Sequence, residues 1–419
     1  MRHDLKAILL VCLTALACLA GDSIRPGLEP LETQYSIPDP TEERLVNALR
    51  EPLLQGRDVT APLQRWFDGR LLDTRGQHDQ AVRAWQDGLK ALDAPQALPL
   101  LPRPDWRPFP DATFRTLKTL KLKDYPDIDV DVVEWQVGRL RQYGVLILPA
   151  AVRDGGVRLP VILYTHGAAF GVPVGFLSWL ADLSRQGYVI AGPAMRGEPL
   201  FQRDIPINGK LLTCEGDIEN LDGEVDDCLA MLSATWKLPF AVPGQFAMIG
   251  HSFGAGVGLL AAARAADQCK AAVSYDAWLV SPQRYYWDRM ARRANNWLSW
   301  ADFCNQPVPA QLAGLLARSI VHHADRLKAP LLLFIGGAYQ GSVFHQSHDD
   351  LLEQLRRRSH PHQYHVMPNA GHNFVLYLGS KPATDALQLQ TQFLSQHFPP
   401  ATLPKDKASV QPQPPPAQP

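Results

Sequence analysis

The sequence predicts an α/β fold, a mostly parallel sheet with helices on both faces, preceded by a small N-terminal helical extension. Three observations carry this reading. Short, continuous apolar runs recur at residues 161–164, 188–191, 246–249, 271–275, 331–335 and 364–367. Helix-like segments at 176–186, 223–236, 254–266 and 349–358 fall between them. Uninterrupted apolar strands are buried on both faces, and their alternation with helices implies βαβ units. Upstream, residues 41–95 have helical periodicity with no strand signal.

Taken in order, the chain divides into four parts. Arg2, His3 and Lys6 precede an apolar stretch at 7–20, too short to span a bilayer as a mature helix. Residues 1–20 therefore read as an export signal, placing the mature protein in a bacterial periplasm or outside the cell. Ala15-Leu16-Ala17 fits the small-x-small cleavage rule, and the adjacent Cys18 raises a lipoprotein reading, with membrane association through that anchor. Residues 21–110 form the helical extension and its linker. Within it, 70–92, with Gly76, Ala81, Ala84 and Trp85, resembles one tetratricopeptide-type hairpin. A single such repeat cannot bury its own apolar face, so it should pack on the main domain. Proline-rich 95–110 is the connector. Residues 111–398 form the sheet domain, opening with an antiparallel pair at 132–137 and 143–148. The Pro- and Gln-rich tail, 399–419, is compositionally disordered.

Composition excludes several classes. With 419 residues, 46% hydrophobic and 20% charged, the chain is ordinary globular protein. A net charge of -1 gives no basic surface for nucleic acid. Beyond the leader and Cys18 the cysteines are Cys214, Cys228, Cys269 and Cys304, whose spacings match no zinc pattern. In an oxidising compartment Cys214 and Cys228, close in sequence, are the preferred disulfide pair.

The chemistry centres on Gly250-His251-Ser252-Phe253-Gly254, between an apolar strand and an Ala-rich helix. This Gly-x-Ser-x-Gly is the nucleophile elbow of an α/β-hydrolase: a strained strand-to-helix turn lifts the serine Oγ above the sheet, and the flanking glycines let strand and helix nearly touch. A serine needs a base, an orienting acid and an oxyanion hole. The base should follow the last strand, where Gly371-His372 stands. The acid usually follows the next-to-last strand, but residues 336–342 contain no carboxylate. Asp349 and Asp350 come first after it and read as the N-terminal cap of a helix. One strand earlier, Asp276 directly follows 271–275, close enough in the sheet to reach the histidine, so Asp276 is the expected acid, with Asp349 and Asp350 as fallback. The oxyanion donors are expected to be the backbone N–H groups of Phe253 and of Ala168, the latter in the His166-Gly167-Ala168 turn after an early strand.

Together, His166-Gly167, Gly250-His251-Ser252-Phe253-Gly254, Asp276-Ala277-Trp278 and Gly371-His372-Asn373-Phe374 resemble the plasma-type platelet-activating-factor acetylhydrolases. The likeness covers about residues 130–395. It implies a metal- and cofactor-independent Ser-His-Asp esterase that removes short or oxidised acyl chains from phospholipids, with Trp278 bordering the acyl pocket. Arg196-Gly197-Glu198 replaces that family's histidine-rich turn, and 283–328 forms an enlarged cap. The substrate expected is a small-molecule or lipid ester. Two other readings stay open. A dienelactone-hydrolase-like or peptidase-like enzyme shares the fold, but the first expects cysteine at Ser252 and the second usually carries a large propeller. The other is a non-catalytic binding protein on the same scaffold, against which stand three catalytic side chains in the right order.

Overall fold

The computed structural model describes residues 37–93, 98–153, 156–168, 170–292 and 306–403. Residues 1–20, expected to be an export signal, with Cys18, Cys304 and the tail beyond residue 403 lie outside the described residues. Among the described residues no helix is long and apolar enough to cross a membrane.

One nine-stranded sheet organises the chain, in the order β1-β2-β3-β5-β4-β6-β7-β8-β9. The strands are β1 (Arg115–Leu122), β2 (Tyr125–Val137), β3 (Leu140–Pro149), β4 (Leu159–Thr165), β5 (Val189–Pro193), β6 (Ala241–His251), β7 (Cys269–Tyr275), β8 (Leu331–Gly336) and β9 (His362–Met367). β1, β2, β3 and β5 pair antiparallel, and β5, β4, β6, β7, β8 and β9 run parallel. The mostly parallel α/β sheet that the apolar runs predict is therefore the fold. β1 had no such signal, because it is an exposed edge with a Lys at every third position from Lys118 to Lys121.

Side-chain alternation in the strands builds a core on each face. Val161 and Leu163 of β4 join one core with helices α5 (Gly223–Trp236) and α6 (Ser252–Arg264). Ile162 and Tyr164 join the other with α4 (Leu177–Arg185) and α10 (Lys381–His397). That division corrects the expected disulfide. Cys214 belongs to one core and Cys228 to the other, with the sheet between them, and both are free, as is Cys269. Cys214 Sγ instead sits 3.6 Å from the carbonyls of Tyr143 and Ala194.

The helical extension comprises α1 (Pro40–Leu54), α2 (Thr60–Thr74) and α3 (His78–Leu92). The hairpin is α2–α3, so its first helix starts ten residues before the predicted position. Asp58 sets that start by accepting the Thr60 N–H at 3.0 Å. The helices pack closely enough that a Cβ on Gly69 would lie 2.2 Å from Trp85 Nε1. Fully buried Glu42 is satisfied by Trp66 Nε1 and Arg70, each at 3.2 Å. The extension leans on the segment after β7, which holds α7 (Pro282–Arg292) and α8 (Val308–Ala317): Trp287 Nε1 donates to the Val46 carbonyl at 2.9 Å.

Helix α9 spans Val343–Arg357, and its N-cap is Ser342, whose hydroxyl accepts from the His345 N–H. Asp349 and Asp350 thus sit in mid-helix and do not cap it, correcting the sequence reading. Asp350 instead takes both its oxygens to Arg284 of α7, a bidentate pair near 2.5 Å. The Gly341-Ser342 pair was the real start signal.

The free thiols yield a direct check. Burial pushes the Cys269 thiol up to about 12 and raises those of Cys214 and Cys228 well above the ordinary thiol range, so all three should resist a thiol reagent until the protein unfolds. Mass spectrometry of alkylated protein should show Cys214 and Cys228 modified without prior reduction. A disulfide-linked peptide containing both would contradict the two-core arrangement.

Candidate active site

The sheet places Ala168, Ser252, Asp276 and His372 beyond the carboxyl ends of the parallel strands β4, β6, β7 and β9. β6 lies between β4 and β7, with Thr165 opposite Gly250 and Tyr275 opposite His251. β6 ends at His251, and α6 begins at Ser252 with no intervening loop. Ser252 has φ +53, the left-handed conformation that a non-glycine residue rarely adopts. Such strain persists only where the surroundings over-determine it. Here they do: a Cβ on Gly250 would lie 2.6 Å from Ala255 Cα, and one on Gly254 would lie 2.2 Å from the His166 carbonyl.

His372 follows β9 on the neighbouring loop. Its Nε2 lies 2.7 Å from Ser252 Oγ, a full hydrogen bond between candidate nucleophile and candidate base. Burial, with His251 and His348 close by, pushes the His372 imidazole down to about 3, so the ring is held neutral. Phe344 of α9 packs edge-on against the same ring, 5.2 Å between centroids. His251 contributes as well: its Nε2 lies 3.2 Å from the His372 carbonyl, tying the base loop to the elbow. Sequence reading assigned His251 no role, since the middle position of an elbow carries no signal of its own.

Asp276 is fully buried at the end of β7, with φ +50. Its Oδ1 accepts the Gly336 N–H at 2.7 Å, and its Oδ2 has no hydrogen-bond partner among the described residues. Burial holds the carboxyl well above the usual carboxylate range, against the lowering effect of the Gly336 amide. Gly336 in turn abuts the base loop, where a Cβ on it would lie 2.6 Å from the Ala370 carbonyl and 2.8 Å from that of Gly371. The structure thus joins Ser252 to His372 directly and sets Asp276 beneath the base loop with one acceptor unused. Asp350 is committed to Arg284, away from this arrangement.

The turn 166–168 leaves β4 beside the elbow. A Cβ on Gly167 would lie 2.9 Å from His251 Nδ1 and 3.4 Å from Ser252 Cβ. Ala168 is half-buried on that turn, and Phe253 is buried at the start of α6; Ala169 lies outside the described residues. Trp278 is 3% accessible, its ring centroid lies 6.0 Å from that of Phe253, and its backbone N–H donates to the Ser252 carbonyl at 2.9 Å. It buttresses the elbow from behind. Among the described residues no cluster of three or more His, Cys, Asp or Glu is placed to hold a metal ion. Arg196-Gly197-Glu198 proves to be a buried node. Arg196 takes Asp227 with two side-chain hydrogen bonds, and Glu198 reaches the turn beside the elbow.

Known proteins resemble this chain. Residues 177–400 match the family model described as the prolyl oligopeptidase family. No curated protein matches the chain. Among solved structures, the acylaminoacyl peptidase of Pyrococcus horikoshii is similar at 14% identity and a TM-score of 0.50, over 67% of this chain and 44% of that one. Acetyl xylan esterase 1 of a Thermoanaerobacterium species is similar at 15% and 0.48, over 69% and 88% of the two chains. Dipeptidyl peptidase 4 of Porphyromonas gingivalis is similar at 17% and 0.45, over 68% of this chain, and the match spans only 35% of that protein. At 14% identity the acylaminoacyl peptidase speaks to the fold alone. The family model covers more than half of the 419 residues, and the chain belongs to the prolyl oligopeptidase family of α/β-hydrolase-fold serine hydrolases.

Proposed function

We propose that this serine hydrolase cleaves carboxylic esters with short or otherwise small acyl groups, through an acyl-enzyme on Ser252. The observation that carries the reading is the 2.7 Å hydrogen bond from Ser252 Oγ to a neutral His372 Nε2 at a strained elbow. His372 takes the Ser252 proton as Oγ attacks the ester carbonyl, then returns it to the leaving alcohol. Asp276, with its Oδ2 free for the ring, orients the imidazole and in its ionised form stabilises the imidazolium. The N–H groups of Ala168 and Phe253 receive the developing oxyanion. Water then repeats the sequence on the acyl-enzyme.

An apolar acyl group suits the exposed apolar surface that follows the base loop in the chain. Leu376, Tyr377 and Leu378, four to six residues past His372, are 37%, 46% and 39% exposed. Such surface favours an uncharged chain over an ionised one. The resemblance to platelet-activating-factor acetylhydrolases narrows the reading to phospholipid sn-2 acyl groups, and it rests chiefly on Asp276-Ala277-Trp278 in the primary sequence. The second reading is a peptidase, favoured by the family match itself. We propose further that the protein acts after export, on the strength of Arg2, Lys6 and the apolar run behind them.

A panel of p-nitrophenyl esters of rising chain length, beside aminoacyl p-nitroanilides, separates the two substrate classes. Turnover should be highest for short acyl esters; anilide hydrolysis exceeding ester hydrolysis would reverse the assignment. Ser252→Ala should retain the wild-type melting temperature and lose about 10⁶ in kcat. Retention of a tenth of the activity would remove Ser252 from the mechanism.

Asp276→Asn should lower kcat by about 10⁴, because an amide holds the imidazole in the wrong tautomer. Asp350→Asn should keep normal turnover and lose about 2 kcal/mol of stability with the Arg284 pair. A fully active Asp276→Asn beside an inactive Asp350→Asn would move the acid to α9.

The acid limb of kcat/KM tests the base. Burial disfavours the imidazolium, so His372 stays neutral as pH falls below the ordinary histidine range. Half-maximal kcat/KM should lie below pH 6.5; a midpoint above that value would mean that the ring is more easily protonated than its burial allows.

A further inference from the structure

Glu198 is a buried carboxyl that the mechanism above does not use, yet it touches the oxyanion turn at both ends. Gly171 N–H donates to its Oε2 at 3.0 Å, and His166 Nε2 lies 3.4 Å from the same oxygen, in contact without a hydrogen bond. Both side chains have no exposed surface. Glu198 thus meets the chain on either side of Ala168, the proposed oxyanion donor, by a hydrogen bond at Gly171 and a contact at His166. The two chain segments are also locked by backbone. Cys214 N–H donates to the Glu198 carbonyl at 2.9 Å, and Val172 N–H donates to the Leu200 carbonyl at 2.9 Å. A Cβ on Gly171, which has φ +76, would lie 1.9 Å from the Pro199 carbonyl, so this end of the turn lies directly on the Glu198–Pro199 backbone. Glu198 therefore has a rigid base from which to hold the turn.

We infer that Glu198 is a positioning residue for the oxyanion hole, holding Gly171 and His166 in place so that the Ala168 N–H meets the reacting carbonyl beside Ser252. This rests on the proposed function, which makes Ala168 a donor. The electrostatics agree with a positioning role. Burial raises the Glu198 carboxyl well above its ordinary range and depresses the His166 imidazole to about 4, so the pair is neutral and contributes geometry without placing a negative charge near the oxyanion. His166 Nδ1, 2.8 Å from the Gly167 carbonyl, carries the order one residue further toward Ala168. A donor aimed at the developing oxyanion acts on the transition state and not on ground-state binding.

Two near-isosteric variants test this. Glu198→Gln keeps an oxygen at the same reach and should stay within about threefold of wild-type kcat. Glu198→Asp withdraws the carboxyl by one methylene and should lower kcat by roughly 10-fold or more at nearly unchanged KM, short of the 10²–10³ seen when an oxyanion donor is lost outright. Affinity for a trifluoromethyl ketone, whose hemiketal with Ser252 presents an oxyanion, should fall in parallel with kcat/KM. A Glu198→Asp enzyme with wild-type kcat and inhibitor affinity overturns the inference, and so does a Glu198→Gln enzyme that loses more than tenfold in kcat. If Glu198→Asp does not fold, Glu198→Gln decides by the same threshold. Failure of the underlying reading is distinguishable, because only then would Ser252→Ala remain active.

Discussion

The near contact of β4, β6 and α6 is the constraint on which the rest depends. Gly254 sits so close to the His166 carbonyl that any Cβ would overlap it, and Gly250 is pressed equally hard against α6. That approach forces Ser252 into a positive φ and drives its side chain out of the sheet. It also brings the end of β4 beside the nucleophile, so the oxyanion turn and the elbow are one packing unit. A bulkier side chain at either glycine would separate the strand from the helix and with it the serine from its partners.

Around that contact, polar groups are buried at considerable cost and arranged to stay neutral or paired. His166, His251, His348 and His372 are all held as neutral rings by burial. Arg196 is matched with Asp227 and Glu219 beneath the site. A neutral histidine is what proton abstraction from serine requires, and a dry site strengthens each hydrogen bond made to developing charge. The extension contributes from the opposite side: α1 holds α7 through Trp287, and α7 holds α9 through Arg284 and Asp350. Helix α9 then presents Phe344 to His372. A chain of packed helices thus links the N-terminal extension to the ring of the base.

Much of this was legible because strong local signals coincide with tertiary demands. Strands β4 to β8 are apolar on both faces and announce themselves as runs, and α5 was bounded to the residue by Gly223 and Trp236. What escaped did so for physical reasons. β1 is an exposed edge without an apolar run. Helix α10 was missed because its sequence is rich in Gln and Thr, and it even buries Gln390 against the Tyr275 hydroxyl. The start of α9 was misplaced because His345 and His348 are buried on it, which polar residues do not advertise. At the site, the elbow and the base loop follow from spacing, and their contact is seen in the fold. The parts played by His251 and Glu198 depend on partners more than a dozen residues away, which no local pattern encodes. Trp278 likewise packs against Phe253 and the Ser252 carbonyl, contacts that its place after Asp276 does not encode.

The central claim is that Ser252, activated by His372, is the residue that becomes acylated. Labelling the folded protein with a fluorophosphonate and mapping the adduct by peptide mass spectrometry tests it most directly. The account predicts a single stoichiometric adduct on Ser252. Ester turnover that survives labelling, or an adduct on any other side chain, would contradict it.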